Sequence, residues 1–139
     1  MIVFDTDILV EILRGNPAIV ERAAGFSSNE QSISVVVGEE ILRARLNAIR
    51  QAEAGNLRIT LPRAYELFER SLQELRNFAV LPFTSDAESL FHEFRSRKIR
   101  VATHDLRIAA ISIAHRVKLV SRNRRDFDRV PGLDVEYWS

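Results

Sequence analysis

Short apolar runs alternate with helix-length stretches along this chain, and this alternation restricts its fold more than any other feature. The runs lie at residues 2–4, 32–37, 79–81, 117–120 and 135–138. Short β-prone apolar runs are typical of strands in a parallel sheet that is buried on both faces. The alternation therefore predicts an α/β fold, in which helices cover both faces of a parallel sheet and the last run forms an edge strand.

Two short helices are expected directly after the first run. Thr6 can cap a helix that continues to about Arg14, where Gly15 occupies the left-handed position that ends such a helix. Asn16 then precedes Pro17, which is the arrangement of an N-cap residue followed by proline at the first helical position. These signals predict two helices joined by a tight turn.

Later segments carry helix signals of the same kind. A long helix is expected over residues 38–54, and an apolar helix over residues 106–115. Ser85 and Glu88 have the spacing of a capping box, with serine as the N-cap and glutamate three residues later. Residues 123–127 are expected to form a turn.

The composition is that of an ordinary globular domain without disulfides. The chain of 139 residues has a hydrophobic fraction of 46%, a charged fraction of 28% and no cysteine. A chain of this length fits one domain, so residues 1–139 are expected to form a single unit. The lack of cysteine excludes thiolate sites and agrees with a cytoplasmic location. No apolar run approaches the ~20 residues of a membrane span, so neither membrane insertion nor secretion is expected.

Positive charge is concentrated in one quarter of the chain, although the net charge is only +1. Residues 1–94 contain 9 Lys and Arg against 14 Asp and Glu, whereas residues 95–129 contain 11 basic residues against 3 acidic ones. A phosphate-binding surface needs such a concentration, because each neutralised phosphate releases counterions. A solvated helix face followed by turns produces the same pattern, so both interpretations stay open at this point.

Acidic residues follow several of the predicted strands. Asp5 comes directly after the first run, Asp126 shortly after the fourth, and Glu39 or Glu40 opens the helix after the second. Asp105 lies in the first turn of its own helix, where a carboxylate often serves only as a cap. In open parallel sheets ligands bind beyond the carboxyl ends of the strands, so these acids are expected to meet there. A charge that ends a buried strand must be solvated, paired or bound to a metal.

Carboxylates gathered at one edge of a sheet repel one another, and Mg²⁺ is a natural partner because it prefers oxygen ligands. A metal in such a site can orient a water and stabilise charge on a phosphoryl group. Other chemistries lack their residues: the 5 glycines are scattered, no Gly-x-Ser-x-Gly motif occurs, and the histidines do not have the spacing of a zinc site. Acids for a metal and arginines for phosphates together predict a metal-dependent nuclease.

Four segments resemble, in order, the signature blocks of PIN domains. These segments are residues 3–9, 33–41, 105–110 and 119–127. The chain also has the length of the single-domain VapC-type toxins of bacterial toxin-antitoxin pairs. The resemblance covers nearly the whole chain, and it implies a three-layer α/β/α sandwich with a mainly parallel sheet. It also implies endoribonuclease activity that depends on Mg²⁺ or Mn²⁺.

The resemblance implies roles for particular residues. The metal-binding and catalytic acids would be Asp5, Glu40, Asp105 and Asp126, supported by hydrogen bonds from Thr6 and from Ser121 or Asn123. Glu40 is preferred because the family's acid follows the strand serine by the interval that separates Ser34 from Glu40, and Glu39 remains an alternative. Asp7 is expected to serve the helix start or a hydrogen bond. The arginines expected to hold the RNA backbone are Arg107, Arg122 and Arg124.

The resemblance also implies partners. Toxins of this kind are usually homodimers that are inhibited by a small antitoxin, whose C-terminal segment lies across the active-site groove. We therefore expect an RNA substrate, a cognate antitoxin and a homodimer. Exposed apolar surface on the two N-terminal helices is the expected binding site for the antitoxin or the second copy.

Two other functions agree with part of the pattern. Asp5-Thr6-Asp7 after an apolar strand also resembles the nucleophile block of haloacid-dehalogenase-type phosphatases, in which the first aspartate attacks phosphate. That family also needs a lysine, and neither Lys98 nor Lys118 lies in a fitting context. The other alternative is a PIN-like domain that binds RNA or a protein without cleaving it, although the chain has acids at all four positions.

Overall fold

The structure is a computed structural model that describes residues 1–56 and 58–138. In this part the strands are β1 (Ile2–Phe4), β2 (Gln31–Ser34), β3 (Ala79–Leu81), β4 (Lys118–Ser121) and β5 (Val135–Tyr137). The helices are α1 (Thr6–Arg14), α2 (Pro17–Ala23), α3 (Val35–Glu53), α4 (Leu61–Leu75), α5 (Ser85–Ser96), α6 (Thr103–Ala114) and α7 (Arg124–Phe127), and a 3-10 turn lies at Ser28–Glu30. None of these helices has both the length and the apolar composition needed to cross a membrane.

The sheet is parallel throughout, with the strand order β3-β2-β1-β4-β5. The chain moves from β1 towards one edge through β2 and β3, and then crosses to the other side of β1 to form β4 and β5. Because crossovers between parallel strands are right-handed, the helices of the two halves cover opposite faces, and the result is the predicted α/β/α sandwich. The reversal creates a topological switch point between β1 and β4, where open parallel sheets bind ligands.

The core is built around the central strand and closed by the C-terminal tryptophan. All three residues of β1 are buried, and Trp138 is only 1% exposed. The Trp138 ring packs edge-on against Phe4, with ring centres 5.8 Å apart, and stacks on Phe26 at 6.3 Å. Its indole N–H donates a hydrogen bond to Glu136 at 2.8 Å. Trp138, which follows β5, is therefore fixed against β1.

The second strand ends earlier than its sequence predicts. Residues 32–37 were expected to be a strand, but β2 stops at Ser34, and the three valines that follow form the first turn of α3. The Ser34 hydroxyl accepts a hydrogen bond from the Val37 N–H at 3.2 Å, which is the geometry of an N-cap. This cap and the burial of Val36 and Val37 outweigh the β-propensity of the valines.

Three other predicted boundaries change for reasons of capping. Asp5, not Thr6, is the N-cap of α1, because its carboxylate accepts the Thr6 N–H at 2.8 Å. Thr84 caps α5, so the predicted capping box headed by Ser85 is wrong. Residues 123–127 contain the short helix α7, whose N-cap is Asn123, instead of a turn. The other helix signals near the N-terminus are confirmed: Gly15 has a φ of 77° and follows α1.

Exposed apolar side chains lie mainly on α3 and α4. Leu46, Leu61, Tyr65 and Leu72 are all exposed there, whereas Val20 is the exposed large apolar residue of α1 and α2 in the described part of the chain. The expectation that the two N-terminal helices carry this surface is therefore wrong for most of it. The reason is that α1 and α2 turn their apolar side chains, Ile8, Leu9 and Ile19 among them, into the core.

Removing the Trp138 ring is expected to destabilise the protein strongly. Trp138→Ala should lower the free energy of unfolding by about 3 to 5 kcal/mol, because it leaves a large cavity against Phe4. Tyr65→Ala removes an aromatic ring that is 53% exposed and should change stability by no more than about 0.5 kcal/mol. Urea denaturation followed by circular dichroism measures both, and equal losses in the two variants would contradict this account of the core.

Candidate active site

Asp5 is buried at the end of β1, at the switch point of the sheet. Its backbone N–H donates to the Val120 carbonyl at 2.9 Å, and its side chain accepts hydrogen bonds from the Thr6 N–H at 2.8 Å and the Ser121 hydroxyl at 2.7 Å. The pKa of Asp5 is raised to about 7, mainly by burial and also by the nearby carboxylate of Asp7, although the two hydrogen bonds act in the opposite direction. Hydrogen bonds thus hold the Asp5 side chain in place, but its carboxylate is largely removed from water.

The polar residues that follow β4 connect Asp5 to two other acids. Ser121 donates to Asp5 and accepts a hydrogen bond from the Asn123 N–H at 3.0 Å. The Asn123 amide nitrogen donates to Asp126 at 3.0 Å and to Asp105 at 3.4 Å. The structure therefore brings both of the alternative supporting residues, Ser121 and Asn123, into one hydrogen-bonded chain with the acids.

The start of α3, after its Ser34 cap, places Glu40 and not Glu39 on the side of the helix that faces these acids. Glu40 follows the buried Val36 and Val37 by four and three residues, so it lies on their face of the helix. The Thr6 hydroxyl donates to Glu40 at 3.2 Å. Glu39 follows the exposed Val35 by four residues, and its side chain, 41% exposed, pairs with an arginine one turn later.

Asp105 has the electrostatic environment of a member of this cluster. Its pKa is raised to about 6, mainly by burial and also by the charges of Glu40, Asp126 and Asp7. The N-cap of α6 is Ala102, which has no side-chain capping bond. The Asp105 carboxylate instead accepts a hydrogen bond from Asn123. Among the described residues its contacts are therefore those of the acid cluster and not those of a helix cap.

Two residues belong to the cluster that the sequence did not assign to it. Asp7 accepts the Arg122 N–H at 3.2 Å, which is the kind of hydrogen bond expected of it, and burial raises its pKa. Its charge also acts on Asp5 and Asp105. The His104 ring nitrogens lie 3.6 Å from Glu39 and 3.8 Å from Glu40. The available signal for His104 was its position directly before Asp105, in the first turn of a helix that follows a loop.

The three arginines predicted to bind RNA each contact the protein. Arg122 forms an ion pair with Glu11 at 3.7 Å and donates a hydrogen bond to the Trp138 carbonyl at 3.4 Å. The Arg124 guanidinium group lies over the Tyr137 ring, 4.3 Å from its centre. The Arg107 guanidinium group lies over the Phe91 ring, 5.2 Å from its centre. Such contacts fix the guanidinium groups but do not remove their charge. Their role in binding RNA stays a prediction.

The chemistry of the cluster fits a hard divalent cation. Two of its buried oxygens, Asp7 Oδ1 and Glu40 Oε1, have no hydrogen-bond partner among the described residues. Buried oxygens without a partner are costly, and Mg²⁺ and Mn²⁺ bind such carboxylate oxygens. Within residues 1–56 and 58–138, no three acidic or imidazole side chains lie close enough to one another to ligate one metal ion without moving.

Comparison with known proteins identifies the family. The model of the family described as PIN domain matches residues 2–133. This chain belongs to the PIN domain family. The resemblance seen in the four sequence blocks is thereby confirmed. Over 138 residues this PIN domain is 28% identical to ribonuclease VapC1 of Rickettsia felis, an alignment that covers 96% of this chain and 93% of that protein.

Solved structures agree with the fold. The structure of DNA-bound VapBC from Salmonella typhimurium matches all of both chains with a TM-score of 0.75 and 19% identity. FitAcB from Neisseria gonorrhoeae matches with a TM-score of 0.74 and 23% identity, covering 100% of this chain and 97% of that one. At these identities the likeness shows a shared fold, the parallel α/β/α sandwich described above.

Replacing Asp5 with asparagine is expected to stabilise the metal-free protein at neutral and alkaline pH. The carboxyl ionises near 3.8 in the unfolded chain but near 7 in the fold, so the folded state holds the proton more tightly. The stability gained from this proton is complete below about pH 4 and is lost as the pH rises through 7. At pH 8 the free energy of unfolding of Asp5→Asn should exceed that of the wild type by on the order of 4 kcal/mol.

Urea denaturation in EDTA between about pH 4 and pH 8 measures this difference. The gap between Asp5→Asn and the wild type should close as the pH approaches 4. Asp134→Asn, which removes an exposed acid that precedes β5, should show no comparable pH dependence. A constant gap over the whole range would contradict the raised pKa of Asp5.

Proposed function

We propose that this PIN domain is a metal-dependent endoribonuclease and the toxin of a toxin-antitoxin pair. The observation that carries the proposal is the meeting of one buried and four partly buried carboxylates, which repel one another, at the switch point between β1 and β4. The acids are Asp5, Glu40, Asp105 and Asp126, joined by Asp7. The similarity to a protein named as a ribonuclease supports the choice of RNA as substrate.

The same residues suit the binding of Mg²⁺ or Mn²⁺. Asp5, Glu40, Asp105 and Asp126 would hold the ion, because they are oxygen donors whose charges repel one another without it. A divalent ion at this place supplies activation of a water nucleophile and neutralises charge that develops on the phosphodiester. The protein itself would position these carboxylates and bind the RNA strand so that it reaches them.

Neighbouring side chains hold each acid in position. Ser121 and the Thr6 backbone fix Asp5, the Thr6 hydroxyl orients Glu40, and Asn123 holds Asp105 and Asp126 in one orientation. Ligand carboxylates that are themselves hydrogen-bonded are better oriented for a metal. Arg107, Arg122 and Arg124 would attract the phosphate backbone, since their protein contacts leave their charges intact.

A small antitoxin and a second copy of this chain are the proposed protein partners. Several solved structures with this fold are described as toxin-antitoxin complexes, among them one from Klebsiella pneumoniae. An antitoxin that places an Arg or Lys among the acids would replace the metal as counter-charge, which explains how such a partner could inhibit the enzyme. The exposed apolar residues of α3 and α4 are candidate contact sites.

The phosphatase alternative loses support from the position of its lysines. Lys118 is the first residue of β4, so it lies about 10 Å from the edge of the sheet that carries Asp5. Lys98 follows α5 and lines a cavity in which Asp5 takes no part. Neither lysine is therefore placed to stabilise a phosphorylated Asp5.

Loss of the Asp5 carboxylate should abolish RNA cleavage. With Mg²⁺ or Mn²⁺ present, Asp5→Asn should reduce the cleavage rate of single-stranded or structured RNA by at least about a hundredfold, and EDTA should do the same to the wild type. Asp134→Asn, which also removes an aspartate but at the opposite edge of the sheet, should retain activity. Unchanged cleavage by Asp5→Asn would exclude the proposed role.

The two adjacent glutamates should differ sharply in the same assay. Glu40→Gln is expected to lose about tenfold to a hundredfold in cleavage rate and to need more metal for half-maximal activity. Glu39→Gln should stay within a few-fold of the wild type, because its side chain is turned towards solvent and Arg43. If Glu39→Gln were the more damaging substitution, the assignment of Glu40 would be wrong.

A further inference from the structure

Four cationic side chains outside the acid cluster meet in one cavity. Lys98 and Arg100, from the loop between α5 and α6, and Arg125 and Arg129, from α7 and the residues after it, line a cavity of about 500 Å³. Among the ion pairs of the described residues, none involves any of these four side chains. The cavity therefore concentrates four positive charges for which the described part of the chain provides no counter-charge.

The two segments that form the cavity are joined by a hydrogen bond. Arg129 Nη1 donates to the Arg100 carbonyl oxygen at 2.9 Å, which holds the end of α7 against the loop that leads into α6. The loop itself is held by Arg95, whose guanidinium group donates to the Val101 carbonyl and to the Thr103 hydroxyl. The relative positions of the two segments that carry the cationic residues are thus set by the fold.

The two segments that line the cavity lead into, or contain, residues of the acid site. Arg125 and Asp126 are consecutive in α7, and consecutive helical residues point about 100° apart. Asp126 turns towards Asn123, which also contacts Asp105, while Arg125 turns into the cavity. On the other wall, the loop with Arg100 leads directly into the first turn of α6, which carries Asp105. A polyanion bound at the acids can therefore continue into the cavity.

The lining of the cavity suits phosphates better than bases or apolar groups. Apart from Ile99, the described residues that line it are all cationic, and none is aromatic. Without an aromatic surface the cavity has no platform on which a base can stack. Guanidinium groups bind phosphate oxygens in a bidentate manner, and neutralising phosphates releases counterions from the nucleic acid. The expected ligand is thus a phosphodiester backbone, recognised independently of its sequence.

We infer that the cavity formed by Lys98, Arg100, Arg125 and Arg129 binds backbone phosphates of the RNA strand next to the nucleotide that lies at the acids. This inference rests on the proposed ribonuclease function and adds to it a backbone-binding subsite. It also explains part of the excess of positive charge in residues 95–129, since the cavity takes 4 of the 11 basic residues there.

Binding of a strand that the enzyme cannot cleave tests the inference without relying on activity. Fluorescence anisotropy in EDTA measures the affinity of the full-length protein for labelled 2′-O-methyl RNA at several salt concentrations. Arg100→Gln/Arg125→Gln should bind about tenfold more weakly at moderate salt. The slope of log affinity against log salt should fall by about 1.4, because two phosphate contacts are lost.

As a control, a second double variant removes the same amount of charge at the opposite end of the parallel strands, where the strands begin. Arg76 and Arg116 are exposed and precede the parallel strands β3 and β4, so Arg76→Gln/Arg116→Gln should change RNA affinity by no more than about twofold. The charge-conserving variant Arg100→Lys/Arg125→Lys should keep most of the wild-type affinity. This result would show that the loss in the glutamine variant comes from charge and not from misfolding.

The outcomes separate this inference from the proposed function. If the wild type binds RNA and the cavity variant binds it equally well, the inference is wrong and the proposed function stands. Equal weakening by the cavity and control variants would also overturn it, since this indicates general attraction. A wild type that binds no RNA in this assay would overturn the inference, whereas the proposed function is decided separately by the cleavage assay with Mg²⁺ or Mn²⁺. A loss confined to a DNA duplex of the same length would assign the cavity to DNA and overturn the inference.

Discussion

A carboxylate buried at the end of the central strand is the constraint on which the rest of this protein depends. Removing a carboxylate from water is costly unless polar groups replace the water. Here the Ser121 hydroxyl and the Thr6 backbone N–H do so, at 2.7 Å and 2.8 Å from Asp5. The same two hydrogen bonds connect β1 to the end of β4 and begin α1. One side chain therefore links the sheet, the first helix and the reactive site.

The acid cluster lowers the stability of the fold. Desolvation and mutual repulsion raise the pKa of both Asp5 and Asp105, and two carboxylate oxygens are buried without a partner among the described residues. Such arrangements persist only where the surrounding fold is stable enough to hold them, and they are common at functional sites. The well-packed core around Phe4 and Trp138 provides this support.

The sequence predicted the parts of the site that follow from strand ends, because the carboxyl ends of parallel strands share one edge of the sheet. Asp5, Asp126 and the parallel fold follow from this rule, whereas Asp105, in the first turn of α6, follows from the family resemblance. The strand-end rule does not distinguish Glu39 from Glu40: the family resemblance favours Glu40, and the burial of Val36 and Val37 adds that Glu40 lies on their face of α3. The cationic cavity could not be predicted either: Arg100 and Arg125 are 25 positions apart, and only tertiary contacts bring their segments together.

The junction between β2 and α3 also determines where this chain can change in length. Glu40 reaches the acids because it lies six residues after Ser34, on the face of α3 that points into the core. An inserted residue in this interval would rotate the glutamate by about 100° and turn it away from Asp105. The connection between α3 and α4 lies beyond the far end of a 19-residue helix, so insertions there leave the interval intact. A change of length at the α3–α4 connection is therefore expected to leave the acids in register, whereas one between Ser34 and Glu40 is expected to separate the glutamate from them.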